Sequence, residues 1–383
     1  MAVETTVPPA PTALRNIEVS LSRHGDFGRL WVEGMWRGDP LADAVVADGA
    51  KLVRRAIEHG IDSLDDPPAP LVDLFAELDA RPRWLDLEAC ERAGGHLARH
   101  HRSFGLVLGA ASLSAGAQST VAGKPLTFTG RYAADAAVRS IEVGSWLLAV
   151  TTPGGLLRRG EGFEHTVRVR MIHAHVRARL SRHPDWDAEA WGLPIPQPFM
   201  AFTLAEFCSV ALRAMRQLGV RYSDREIEDI HHLWRYVGHL VGVAEDFLPG
   251  TPEDYARIES LYALTALGPD DEDRQFLAAL TSFQAAELAR VLPAPLAEPI
   301  VRGLQRAFLG DAQADALAIP DTGWKRLPRL LSPLNRVSAA AHDACVPNGR
   351  ARRASRGLRA RQREFHELRA RYAVAHQLVD DAG

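Results

Sequence analysis

Between residues 40 and 343 apolar residues recur every three or four positions, and almost nothing alternates. That spacing places side chains on one face of a helix. β-branched runs are short, and no Asn-Gly or Asp-Gly pair joins alternating segments, so strand signals are nearly absent. The chain is therefore expected to be all-α. Asp39-Pro40 reads as an N-cap followed by proline at the first helical position, opening a helix to about His59. Further helices are expected over 71–78, 84–99, 131–150, 163–180, 200–218, 223–247, 252–267, 271–291, 294–310, 323–343 and 349–378. Ser223 and Glu226 have capping-box spacing. Leu193-Pro194-Ile195-Pro196-Gln197-Pro198 is expected to be extended, because each proline disfavours helix in its predecessor. No repeat and no linker interrupts 40–343. The expected organisation is a disordered Pro/Thr-rich segment 1–15, one helical domain 16–345, and a basic helical tail 346–383.

Composition narrows the function classes. Of 383 residues, 46% are hydrophobic and 24% charged, and the net charge of −3 offers no global field for nucleic acid. Cys90, Cys208 and Cys345 are far apart with no CxxC pair, which argues against a disulfide scaffold and a cysteine metal site. The N-terminus has no basic-then-apolar leader, and the small-residue run 104–117 is short for a membrane span of roughly 20 residues. The expectation is a cytoplasmic protein without a membrane span, monomeric or homodimeric. No phosphate-binding loop, GxGxxG, GxSxG or HExxH pattern occurs.

The segment FEHTVRVRMIHAHVRARLSRH, 163–183, carries the sharpest pattern. Val169, Ile172, His173, Val176 and Leu180 fall on one apolar face, with Arg170 and Arg177 projecting about 40–60° to one side of His173. A core histidine satisfied by a carbonyl fits this pattern. So does a metal or haem ligand, because a porphyrin needs an apolar wall, a neutral imidazole and cations for its propionates. On the apolar helix 131–150, Asp135, Arg139 and Glu142 form a charged stripe. It reads either as a solvated face or as a polar strip aimed into a pocket. The tail holds nine arginines between 350 and 371, a pattern that suits a solvated helix face, with nucleic-acid or subunit contact as the alternative.

Residues 36–250 resemble the latex-clearing-protein (rubber oxygenase) family. This family includes bacterial haem-b oxygenases and the fungal oxygenase that shortens the farnesyl chain in mycophenolate biosynthesis. The resemblance rests on Gly38-Asp39-Pro40-Leu41-Ala42-Asp43, Thr129-Gly130-Arg131, Arg139 and Thr151-Thr152-Pro153-Gly154-Gly155-Leu156. It continues through Arg168-Val169-Arg170-Met171-Ile172-His173-Ala174-His175-Val176-Arg177, Trp191-Gly192-Leu193-Pro194-Ile195, Thr203, Trp234-Arg235-Tyr236-Val237-Gly238 and Phe247-Leu248-Pro249.

The resemblance implies a globin-like helical core with added N- and C-terminal helices and a single haem b. His173 takes the family's proximal position, Arg170 and Arg177 those of its companion arginines, Arg139 that of the pocket arginine, and Thr203 that of the threonine on the following helix. Two positions depart from the family: Val143 stands where a threonine is common, and Glu142 where rubber-cleaving members can carry lysine. The implied activity is attack of O2 on an alkene carbon of an apolar, terpenoid-like small molecule, with C=C cleavage. Arg139 would orient the distal side and Glu142 would serve as base. A haem-dependent tailoring monooxygenase or oxidase is the alternative, and a non-enzymatic haem-binding or interaction protein a second.

Overall fold

The computed structural model describes residues 9–48, 50–128 and 136–374, and among these no residue is in a β-strand. The helices are α1 (Ile17–Gly34), α2 (Pro40–Asp48), α3 (Ala50–His59), α4 (Ala69–Asp79), α5 (Leu87–Ala98) and α6 (His101–Gly116). They continue with α7 (Thr120–Thr127), α8 (Ala136–Val150), α9 (Glu161–Leu180), α10 (Gln197–Gln217), α11 (Asp224–Leu240) and α12 (Pro252–Thr265). The last are α13 (Asp271–Leu288), α14 (Ala294–Leu309), α15 (Leu327–Cys345) and α16 (Gly349–Arg371). Single helical turns lie at Ala188–Trp191 and Asp311–Ala316. The part of the 131–150 helix before Ala136, with Asp135 and Thr129-Gly130-Arg131, lies outside the described residues.

Local chemistry sets most of the helix starts. The Asp39 carboxylate accepts from Ala42 N (3.2 Å), with Pro40 first in α2. Ser223 and Glu226 form the reciprocal capping box of α11, and Thr251–Asp254 and Asp270–Asp273 repeat it at α12 and α13.

Several expectations change, among them the 223–247 helix, which stops at Leu240 ahead of Gly242 (φ 88°). The segment before Leu14 is ordered from Pro9 onward: Thr12 and Ala13 amides donate to Glu189 O and Ala190 O (both 3.0 Å), and Leu14 is buried. Trp36 Nε1 also donates to Pro9 O (2.9 Å). The first two bonds reach 177 positions along the chain and the third 27, which composition cannot reveal. Another is the 193–198 segment, which is not extended throughout: Ile195 takes φ 52°, and Gln197 with Pro198 already begins α10, because proline is tolerated in a first helical turn.

The central layer is α8, α9, α10 and α11. Trp146, Phe207 and Trp234 meet there, with ring centroids 5.6–5.9 Å apart, and Trp146 Nε1 donates to Thr166 Oγ1 (3.0 Å). Helices α5 and α11 pack closely, α2 lies on α9, and α13 and α14 pair on the far side. Both α6 and α10 contain a π-helical turn, Leu108–Leu113 and Glu206–Val210, and the two turns pack on each other. Such turns are uncommon and re-aim side chains locally. Helix α10 is long and apolar enough to cross a membrane, but 72% of its apolar window is buried inside the protein. The basic helix α16 packs on α5, α6 and α8.

Candidate functional site

Helix α9 begins with Glu161 and Glu164 and ends with Arg177 and Arg179, charges that complement its dipole. Its two sides differ. Phe163, Thr166, Val167, Arg170, Met171, Ala174 and Arg177 are buried. Val169, Ile172, His173 and Val176 are only half-buried. These four form a half-buried stretch of the apolar face, bounded along the helix by buried His165 and Leu180. His173 stands at the boundary between the two sides. Its Nδ1 is fully enclosed and has no hydrogen-bond partner among the described residues. Burial, with the Arg177 charge adding to it, lowers its pKa to about 4. The imidazole is therefore neutral at pH 7, with a lone pair available to a metal. His175 points elsewhere and has Nδ1 2.9 Å from Met171 O.

Arg170 and Arg177 bond to carboxylates on neighbouring elements. Arg170 Nε and Nη2 donate to the two Asp39 oxygens (2.6 and 3.0 Å), and Nη1 donates to Glu77 (2.7 Å). Arg177 Nε donates to Asp43 (2.9 Å) and Nη1 to Ile195 O (3.0 Å). Charge-assisted pairs of this kind fix orientation as well as charge. They bind α9 to the start of α2, to α4 and to the 193–196 turn. Gln197 completes the junction: its Nε2 donates to Gly38 O (2.8 Å) and Gly242 O (3.0 Å), and its Oε1 accepts from Ala244 N (2.8 Å). At Gly242 (φ 88°) a Cβ would sit 2.1 Å from Asp39 Oδ2, so this position requires glycine.

The α8–α9 pair is antiparallel, and its register is set by two contacts. One is the Trp146–Thr166 hydrogen bond; the other is Gly162 against the Ala149–Val150 backbone. Seven residues back on α8 and seven forward on α9 from the first contact stand Arg139 and His173. The two therefore lie at the same level of the pair, and Glu142 is level with Arg170. Arg139 and Glu142 are half-buried, and each is engaged with a neighbour. Thr203 is exposed on α10 between buried Phe202 and Leu204, and its hydroxyl donates to Phe199 O (3.0 Å).

Glu206 is a functional candidate that the sequence pattern did not bring out. It lies in the π turn of α10, buried, with Oε1 lacking a partner. Burial pushes its carboxyl well above the usual carboxylate range. A Cβ at Gly116 would lie 2.9 Å from that oxygen, so glycine makes its room. A glutamate inside the apolar run AFTLAEFCSV was the available signal. Among the described residues no three His, Cys, Asp or Glu side chains cluster to hold a metal ion.

Residues 98–343 match the family model described as "ER-bound oxygenase mpaB/B'/Rubber oxygenase, catalytic domain". A rubber oxygenase of Streptomyces sp. (strain K30) is 25% identical over 285 residues, covering 73% of this chain and 67% of the relative. The solved structure of a latex clearing protein in the closed state superposes with a TM-score of 0.60 at 20% identity. That likeness is one of fold, over 85% of this chain and 91% of the other. The family match spans most of the chain and contains Arg139, Glu142, His173, Thr203 and Glu206. The chain belongs to this family of rubber oxygenases and related oxygenases, and is an oxidoreductase.

Proposed function

We propose that this enzyme uses O2 on an apolar, alkene-bearing small molecule and works with a haem b held by His173. One observation carries the reading. His173 is a neutral imidazole, its inner nitrogen enclosed and partnerless, at the edge of a half-buried apolar stretch within the matched oxygenase region. A single histidine would suit a haem, which brings its remaining donors with it. The walls Val169, Ile172 and Val176 suit the flat apolar body of such a group. When bound, the haem supplies the activation of O2.

The protein's own groups do the rest. The Arg170–Asp39 and Arg177–Asp43 pairs hold α9, and with it the His173 ring, in position; these two arginines are positioning residues in this reading. Arg139, level with His173, supplies a cation toward charge that develops on oxygen. Glu142, one turn along α8, would accept the allylic proton and return it as the two carbonyl fragments form. Thr203 borders the cofactor pocket from α10. The apolar walls exclude water and hold the hydrocarbon chain. Cleavage of the double bond by O2 leaves one oxygen atom on each of two carbonyl fragments.

A second reading is favoured by the departures at Glu142 and Val143: the same pocket adds one oxygen or removes hydrogens without cleavage. Absorption spectra and iron content of wild type and His173→Ala test the cofactor assignment. The expected result is a Soret band lost or shifted in the variant. An unchanged spectrum with full haem content overturns the assignment. Product masses separate two carbonyl fragments from a substrate carrying one added oxygen.

A further inference from the structure

Helices α15 and α16 form a hairpin joined at 346–348. On α15, Leu330, Leu334 and Val337 are 67%, 66% and 69% exposed. With exposed Ala341 they fall within an arc of about 60° at 100° per residue. Natural surfaces scatter single apolar residues, whereas a contiguous apolar stripe marks a contact surface. Exposed Arg329 and Arg336 lie along one flank of the stripe. From the turn onward, Asn348, Arg352, Ser355, Arg356 and Arg359 line an open groove of about 550 Å3.

The charge distribution identifies the partner. From Leu327 to Arg371 there are eleven arginines against three acids, a net of +8 within a chain whose total is −3. The charge that vanishes in the total is concentrated on this hairpin. A leucine–valine stripe edged by arginines fits an interface that is hydrocarbon below and anionic above. A second copy fits less well, because a two-fold contact would set exposed Arg329, Arg336, Arg352 and Arg359 against their own copies.

We infer that the α15–α16 hairpin docks the enzyme on the surface of an anionic phospholipid bilayer. Leu330, Leu334 and Val337 enter the acyl boundary, and Arg352, Arg356 and Arg359 meet the lipid phosphates. The hairpin lies on the bilayer and does not span it. The inference stands without the haem assignment, since it uses none of the pocket residues. It would bring the enzyme to the phase where an apolar alkene dissolves.

Flotation of the full chain with phosphatidylcholine vesicles, with and without phosphatidylglycerol, tests it. The expected result is recovery with the anionic vesicles only, falling as salt is raised. Replacing Leu330, Leu334 and Val337 by Asp is expected to abolish flotation. Replacing Arg352, Arg356 and Arg359 by Ala is expected to weaken it roughly fivefold per arginine. All substitutions are on exposed or groove positions, so circular-dichroism melts should match wild type. Equal recovery with neutral vesicles, or flotation unaffected by the stripe variant, overturns the inference. So does a concentration-dependent dimer in light scattering that the stripe variant dissolves, without flotation.

Discussion

The Arg170–Asp39 pair offers a quantitative test of how α9 is held. Both side chains are nearly inaccessible, 2% and 3% exposed, and share two charge-assisted bonds of 2.6 and 3.0 Å. Arg170 keeps one further carboxylate, Glu77, but that side chain is 37% exposed and partly screened by water. Asp39→Ala therefore strands the Nε and Nη2 donors of a buried guanidinium. Removing one partner of a buried pair typically costs about 3–5 kcal/mol, most of it the uncompensated charge left behind. Glu77 brings the expectation to the lower end, about 3 kcal/mol. Arg170→Met removes the cation and fills similar volume, but leaves the Asp39 carboxylate buried, with an expected loss of about the same size. The double variant should lose less than the sum by about 1–3 kcal/mol, because neither charge then remains alone. Urea unfolding followed by far-UV circular dichroism measures all four proteins, with equal m-values as the check on the comparison. Single losses under about 1 kcal/mol, or additivity within about 0.5 kcal/mol, would refute the view that this pair anchors the helix. If the pair anchors α9, both variants should also weaken whatever His173 binds, although neither residue need touch it.

Other expectations follow from single contacts. Because burial raises the Glu206 pKa, the folded protein holds a proton there that the unfolded chain releases. That stability is present in acid and declines as pH rises above the ordinary glutamate range. Glu206→Gln should thus match wild type at pH 5 within about 1 kcal/mol and exceed it at pH 8; parallel urea midpoints at both pH values would sink the idea. At Gly357 a Cβ would lie 1.8 Å from Ala98 O, so Gly357→Ala should push α16 off α5 at about 1–3 kcal/mol and expose the arginine-rich helix to trypsin; unchanged tryptic protection contradicts this contact. Gly242→Ala combines φ 88° with a clash on Asp39, and should cost about 2 kcal/mol or more by thermal melt.

What the sequence determined is what depends on near neighbours. The 3.6-residue period specified an all-α chain, and the Asp39-Pro40 and Ser223–Glu226 pairs specified helix starts, because a cap is satisfied within three residues. The same period set His173 beside two arginines on α9, since a helix face follows from spacing alone. Only the tertiary structure decided where those arginines point: Asp39 and Asp43 lie more than 130 residues from their partners, and no local rule couples them. It likewise brought Arg139 level with His173, through the antiparallel register of α8 and α9. It enclosed Glu206, in the π turn of α10, against Gly116, ordered the chain from Pro9, and left the α15 stripe uncovered. Periodicity states which residues share a face; the packing of one helix on another decides which faces are filled, left open to a cavity, or presented to solvent.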